Sequence, residues 1–139
     1  MSIARVITRL KREEGWSATP YQDHLGFWTI GWGFLIDPRK NATLPQRVAD
    51  YWLETLVEDR QRALDDALPW LLRQPDEVRD ALTEMAYQMG TVGVLKFTKM
   101  LDALKAGNRV LASNEALDSE WARQTPERAR RVAALIRGD

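Results

Sequence analysis

The chain has no cysteine, which excludes a disulfide framework, a thiolate nucleophile and any cysteine metal site together. It has one histidine, His24, with no partner of its kind to share a metal, so no metal and no cofactor is expected. A turn position is the use that suits His24 best. Twenty basic residues balance twenty acidic ones, so the broad cationic field of a nucleic-acid binder is missing and no nucleic acid is expected as a partner. Long apolar runs are missing as well. No stretch approaches a membrane span, and Met1 to Arg9 lacks the apolar core of a signal peptide. The expectation is a protein without stable membrane insertion, kept in a cytoplasm unless something else releases it.

What is present fits one domain. A chain of 139 residues with 45% hydrophobic and 29% charged residues is soluble, globular and large enough for one real core. The neutral total hides an uneven distribution. Residues 1–12 carry Arg5, Arg9, Lys11 and Arg12 and no acid, whereas residues 50–80 carry nine acids against four arginines.

The stretch from Glu13 to Phe34 organises the rest. Ile3, Val6, Ile7 and Leu10 before it share one helical face, with Ser2 as an N-cap, so a helix is predicted over 2–13. Its task is to deliver Glu14 from a packed, rigid element. Gly15 is suited to ending that helix. Residues 20–36 read as a small antiparallel sheet of two or three short strands, with a turn at His24-Leu25-Gly26 and a strand over 27–30. Trp16, Trp28 and Trp32 are able to stack on sugar rings or to fill a small core; Trp28 is read as core, and Trp16 and Trp32 stay open. Glu14 and Asp23, on different elements across a turn, are suited to glycoside hydrolysis, which needs one protonated and one ionised carboxyl. Among twenty acidic residues, such a spacing is by itself weak.

Beyond a loop at 37–43 the pattern is helical. A long helix is predicted from Thr43 or Leu44 to Leu68, with Pro45 in its first turn and Pro69 stopping it. Trp70, Leu71 and Leu72 read as core anchors. Pro75-Asp76-Glu77 opens a broad-faced apolar helix, read as central and buried, that ends at Gly90. Further helices are predicted from Val94 to Ala106, from Asn108 to Leu117, and from Thr125-Pro126 to Ile136, with Trp121 in a short connection.

The string Glu14-Gly15, five residues, Tyr21-x-Asp23, five residues, Thr29-Ile30-Gly31-x-Gly33 resembles the active-site region of the phage-type lysozymes, glycoside hydrolase family 24. Tyr87-Gln88-Met89-Gly90, Gly93-Val94, Phe97-Thr98 and Trp121 through Val132 are similar to the T-even phage type in order and spacing. The resemblance implies an α+β, mostly helical, two-lobe fold. Its parts would be a small β lobe at about 14–43, a connecting helix at about 44–68, and a helical lobe at about 69–139 joined by the N-terminal helix 2–13. It implies a monomeric N-acetylmuramidase and endolysin that acts on cell-wall peptidoglycan after release through a membrane pore. The catalytic group falls on Glu14, Asp23 and Thr29; adjacent Glu13 competes by position, and the Glu-Gly match selects Glu14. Gln88, Trp32 and Phe97 are the expected substrate contacts. Arg128 is the expected partner of Glu14, and Trp121 a supporting packed residue. Two departures stand out: the segment after residue 35 is shorter than in the T-even type, and Met100 and Glu115 stand where that type has small polar groups.

Overall fold

A computed structural model describes residues 2–139. The protein is α+β and 70% helical, with a three-stranded antiparallel sheet and, among the described residues, seven α-helices. It divides into two compact units, one running to Ala49 and the other from Asp50 to Asp139.

The first unit holds helix α1 (Ile3–Glu14), strands β1 (Ser17–Gln22), β2 (Trp28–Gly31) and β3 (Phe34–Leu35), and a short 3-10 helix, Pro38–Lys40. Ser2 caps α1 by accepting the Arg5 N–H at 3.4 Å. Lys11 and Arg12 in its last turn oppose the negative end of the helix dipole. Gly15 stops the helix at φ 73°, a conformation that costs a residue without a Cβ little, and its N–H closes the last turn on the Lys11 carbonyl.

The sheet order is β1-β2-β3. Pro20 is tolerated because β1 is an edge strand, where a missing N–H leaves no ladder bond unmade. The register shifts between Ser17 and Tyr21, where the Ser17 hydroxyl donates to the Thr19 carbonyl at 2.7 Å. Beyond that irregularity Tyr21 pairs with Thr29 and Gln22 with Trp28.

Within this unit no residue of α1 is buried, and its end lies against the β2–β3 turn, Lys11 over the Trp32 ring and Glu14 against Gly33. One expectation for this unit is corrected. Trp28 is not core, being 44% exposed. Thr29 and Gly31 take the covered face of β2, and strict alternation sends Trp28 to the other.

Helix α2 (Gln46–Ala67) begins in the first unit and continues into the second. The second unit adds a 3-10 helix Pro69–Arg73 and helices α3 (Asp76–Leu95), α4 (Thr98–Lys105), α5 (Arg109–Leu117), α6 (Glu120–Gln124) and α7 (Pro126–Arg137). As the periodicity predicts, α3 is central: Val78, Ala81, Leu82, Met85, Ala86 and Val94 are fully buried. Around it pack Leu64, Leu71, Met100, Leu104 and the inner residues of α5 and α7. Those inner positions on α5 and α7 are rich in alanine (Ala112, Ala116, Ala129, Ala133), which lets helices approach closely. Arg109 ties α5 to the end of α7, donating to the carbonyls of Ile136 at 2.8 Å and Leu135 at 3.1 Å and to Glu77 at 3.0 Å.

Four local readings change. Gly90 does not end α3 but breaks it internally at φ 82°, and helix resumes to Leu95. Leu72 is 61% exposed while Leu71 is buried, because the tight 3-10 turn sends consecutive side chains apart. Trp121 lies in the short helix α6, capped by Ser119 accepting the Ala122 N–H at 3.1 Å. The Thr125 side chain does not cap α7, because its hydroxyl donates back to the Trp121 carbonyl.

Leu82 is fully buried at the centre of α3, so Leu82→Ala leaves a cavity where the helical unit is most closely packed. A loss of about 2–5 kcal/mol is expected in denaturant unfolding. A loss below about 1 kcal/mol would show that α3 does not carry the core.

Candidate active site

Glu14, Asp23 and Thr29 all lie in the first unit. Glu14 is the last residue of α1 and exposed. Its carboxyl group lies against Gly33, the last residue of the turn between β2 and β3. A Cβ on residue 33 would stand 2.8 Å from the Glu14 Cδ and still closer to its Oε2. Gly33 also has φ 78°, so two separate constraints require glycine there.

Asp23 builds its own turn. Its Oδ1 accepts the N–H groups of Leu25 and Phe27, each at 2.9 Å. Its backbone N–H donates to the Phe27 carbonyl, and Gly26 at φ 83° returns the chain. The Phe27 N–H is the main reason its carboxyl sits below the ordinary value, with the Leu25 N–H adding to it against a desolvation cost. No residue among those described bonds Oδ2.

Asp23 and Thr29 are joined through one residue: the Phe27 N–H donates to Asp23 Oδ1, and the Phe27 carbonyl accepts from the Thr29 hydroxyl. Thr29 is 5% exposed, and its hydroxyl donates to the Phe27 carbonyl at 3.1 Å. With its proton committed, Thr29 Oγ1 presents lone pairs only.

The loop predicted at 37–43 contains an unpredicted latch. Asp37 is 1% exposed and accepts the Trp28 N–H at 3.0 Å, the Arg39 N–H at 2.9 Å, and the Arg39 guanidinium at 2.9 and 2.7 Å. Arg39 then donates to the Gly26 carbonyl at 2.8 Å and lies over the Phe27 ring. The latch thereby grips the closing side of the turn that Asp23 forms, from Gly26 to Trp28. The Arg39 side chain, then the Trp28 N–H, hold Asp37 far below the ordinary carboxylate range. Asp before Pro-x, at the start of a helical turn, was the available signal.

The remaining expected residues lie in the second unit. The Trp121 indole N–H donates to the Gln88 Oε1 at 2.9 Å, and Phe97 meets Trp121 edge-on, with centroids 6.1 Å apart. Trp121 is 9% exposed, as expected of a packed residue. Phe97, Trp121 and the half-buried Glu115 line a cavity of about 380 Å³, whereas Met100 contributes from a buried position. Arg128 is half-buried in the first turn of α7. Trp32, in the β2–β3 turn, stacks at a tilt on Trp16, with ring centroids 5.2 Å apart. Among the described residues no group of His, Asp and Glu is placed to hold a metal.

The family model for phage lysozyme matches residues 11–137. The Pre-baseplate central spike protein Gp5 of Enterobacteria phage T4 is 32% identical over 98% of this chain, which spans only 28% of that longer protein. Probable T4-type lysozyme 1 of Dictyostelium discoideum is 26% identical, with 96% of this chain and 94% of the relative covered. Probable T4-type lysozyme 2 of the same organism is 29% identical, with 91% and 90% covered.

Replacing Asp37 by Asn removes the charge that Arg39 and Trp28 hold. Asp37 is depressed in the folded state, so its stabilisation is present above the unfolded carboxyl value and is lost as pH falls through the folded one. Asp37→Asn is therefore expected to melt below the parent at pH 7. The gap should begin to narrow below pH about 4 and close only in stronger acid. Thermal scans across pH read this directly, and a gap that widens on acidification contradicts it.

Proposed function

Because the chain belongs to the phage lysozyme family, we propose that it is an N-acetylmuramidase that hydrolyses the β-1,4 bond between N-acetylmuramic acid and N-acetylglucosamine in peptidoglycan, with inversion. Family membership supports peptidoglycan hydrolysis in general. The observation that supports the finer reading is that Asp23 and Thr29 are both bonded to Phe27 in one hairpin, with the Asp23 carboxyl held below its ordinary value by the Phe27 N–H.

In this reading Glu14 gives its proton to the leaving glycosidic oxygen. A water on the other side of the sugar donates one proton to Asp23 Oδ2, the oxygen that the turn leaves free. Its second proton goes to a lone pair of Thr29 Oγ1, whose own proton is committed to Phe27. Held by both protons, the water points an oxygen lone pair at the anomeric carbon, and Asp23 removes the proton as the bond forms. Such a water fits between carboxyls roughly 6.5–9.5 Å apart. Gln88, Trp32 and Phe97 are assigned to substrate contact, Arg128 to a supporting role, and Trp121 to holding the Gln88 amide. The setting that goes with this reading is an endolysin, acting on the wall after release through a membrane pore.

Glu14→Gln should abolish lysis of cell walls with the fold intact, because an amide carries no transferable proton. Turbidity loss with purified walls checks this, and a dead Glu13→Gln beside an active Glu14→Gln would move the acid by one residue.

The product distinguishes the chemistry. Hydrolysis with inversion leaves a reducing N-acetylmuramic acid end, formed first as the α anomer, whereas a transglycosylase leaves a 1,6-anhydro end one water lighter. Mass spectrometry of digests is expected to show the hydrated end, and Asp23→Asn is expected to lose most activity while glycan fragments still bind. A digest dominated by anhydro ends excludes the hydrolase, an initial β anomer recasts Asp23 as a nucleophile, and intact walls with bound protein mark a non-catalytic wall-binding module.

A further inference from the structure

We propose that Trp16 and Trp32, backed by Lys11, form a stacking platform for an N-acetylhexosamine ring of the glycan strand beside Glu14. The proposal rests on the muramidase reading for the identity of the sugar.

The platform is built from both sides of the acid. Trp16 follows the Gly15 stop of α1, two residues after Glu14. Trp32 precedes Gly33, the residue against which the Glu14 carboxyl lies. The two indoles are 5.2 Å apart at 49°, so neither is stacked flat on the other. Trp16 is 63% exposed and Trp32 half-buried, which leaves the Trp16 ring as the open surface.

Lys11 occupies the other ring. Its Nζ lies 5.1 Å from the centroid of Trp32, within cation–π range. The ammonium is thereby anchored at the edge of an aromatic surface, where it can donate hydrogen bonds.

A pyranose ring fits this combination. Its axial C–H groups make an apolar face that packs on the electron-rich face of an indole. Its hydroxyl and acetamido groups project at the rim, where the Lys11 ammonium meets the acetamido carbonyl. Specific ligand sites have this make-up, an apolar surface with a few placed polar groups. A solely structural role is a poor account of Trp16, because most of its ring area removes nothing from water.

The test uses the full chain carrying Glu14→Gln, titrated with the β-1,4-linked N-acetylglucosamine tetramer and followed by calorimetry. Adding Trp16→Ala should weaken binding about tenfold, and Trp16→Tyr, which keeps a ring, by no more than about threefold. Lys11→Met should weaken binding about threefold. Melting temperatures should stay within about 2 °C of the parent, as befits an exposed side chain. Equal binding by the Trp16→Ala protein overturns the proposal, as does a parent that does not bind the tetramer. Should Trp16→Ala fail to fold, the parent still decides: the Trp16 indole N–H resonance must shift on adding the tetramer, and an unmoved resonance overturns the platform. The two readings fail separately. Intact walls with a shifted Trp16 resonance defeat the hydrolase and keep the platform, whereas hydrated muramic ends with an unmoved resonance do the reverse.

Discussion

The first unit depends on one close approach, that of the Glu14 carboxyl to a residue without a side chain. With the Glu14 carboxyl where it lies, a Cβ at position 33 would run into its Oε2 and Cδ and turn the acid away. The same residue needs φ 78° to make the turn. Gly15, at φ 73°, sets where α1 stops and so which residue faces the turn. Gly31 repeats the logic one step earlier, since a Cβ there would strike the ring of Phe34 at 2.8 Å. The spaced glycines of the motif are thus steric statements about Glu14 and Phe34 more than markers of flexibility.

The second unit obeys a different rule. Its core comes from the continuous burial of α3, around which shorter helices gather their inner faces. Some polar groups in that packing find partners: the Ser113 hydroxyl donates to the Ala133 carbonyl at 3.0 Å, and Gln74 donates to the Leu104 carbonyl at 3.3 Å, whereas the Nε atoms of Arg60 and Arg79 are buried without a partner among the described residues. Trp121 joins this packing through its indole N–H, which occupies one end of the Gln88 amide. Gln88 Nε2 makes no bond among the described residues, so donation is the function its amide retains.

Local chemistry made most elements legible. Ser2, Gly15, Pro69, Gly107 and Asn108 bound helices as their backbone preferences dictate, and the Asn108 side chain accepts the Leu111 N–H at 3.1 Å. The misreadings arose where burial, not propensity, decides. Periodicity shows that Ile3, Val6, Ile7 and Leu10 share a face but cannot show whether anything covers it. A small sheet needs bulk, which favours Trp28 as core, yet strand alternation gives that place to Thr29. The candidate site was readable only as a string, since a carboxyl pair nine residues apart is ordinary in a chain with twenty acids. The Asp37–Arg39 latch is not legible in the sequence because its partners, the Trp28 N–H and the Gly26 carbonyl, are backbone groups that no side-chain pattern reveals.

Asp23 serves two ends with one carboxylate. As turn builder it accepts two backbone N–H groups on Oδ1, which costs it rotational freedom and favours its charged form. The role proposed for it, the ionised member of a hydrolytic pair, calls for those two properties, a fixed direction and a charge that survives mild acid. The arrangement supplies both without a second charged residue bonded to the carboxylate, so Oδ2 keeps its capacity for a water proton. Thr29 follows the same economy. Donation to Phe27 removes the ambiguity of a hydroxyl that can either give or accept, leaving an acceptor beside the acceptor of Asp23. Phe27 anchors both residues through its own peptide groups, the N–H to Asp23 and the C=O to Thr29. Arg39, packed on the Phe27 ring and bonded to the preceding carbonyl, then holds that residue in place. The alignment of the two acceptors is therefore a property of a hairpin turn and its latch, set before any substrate arrives.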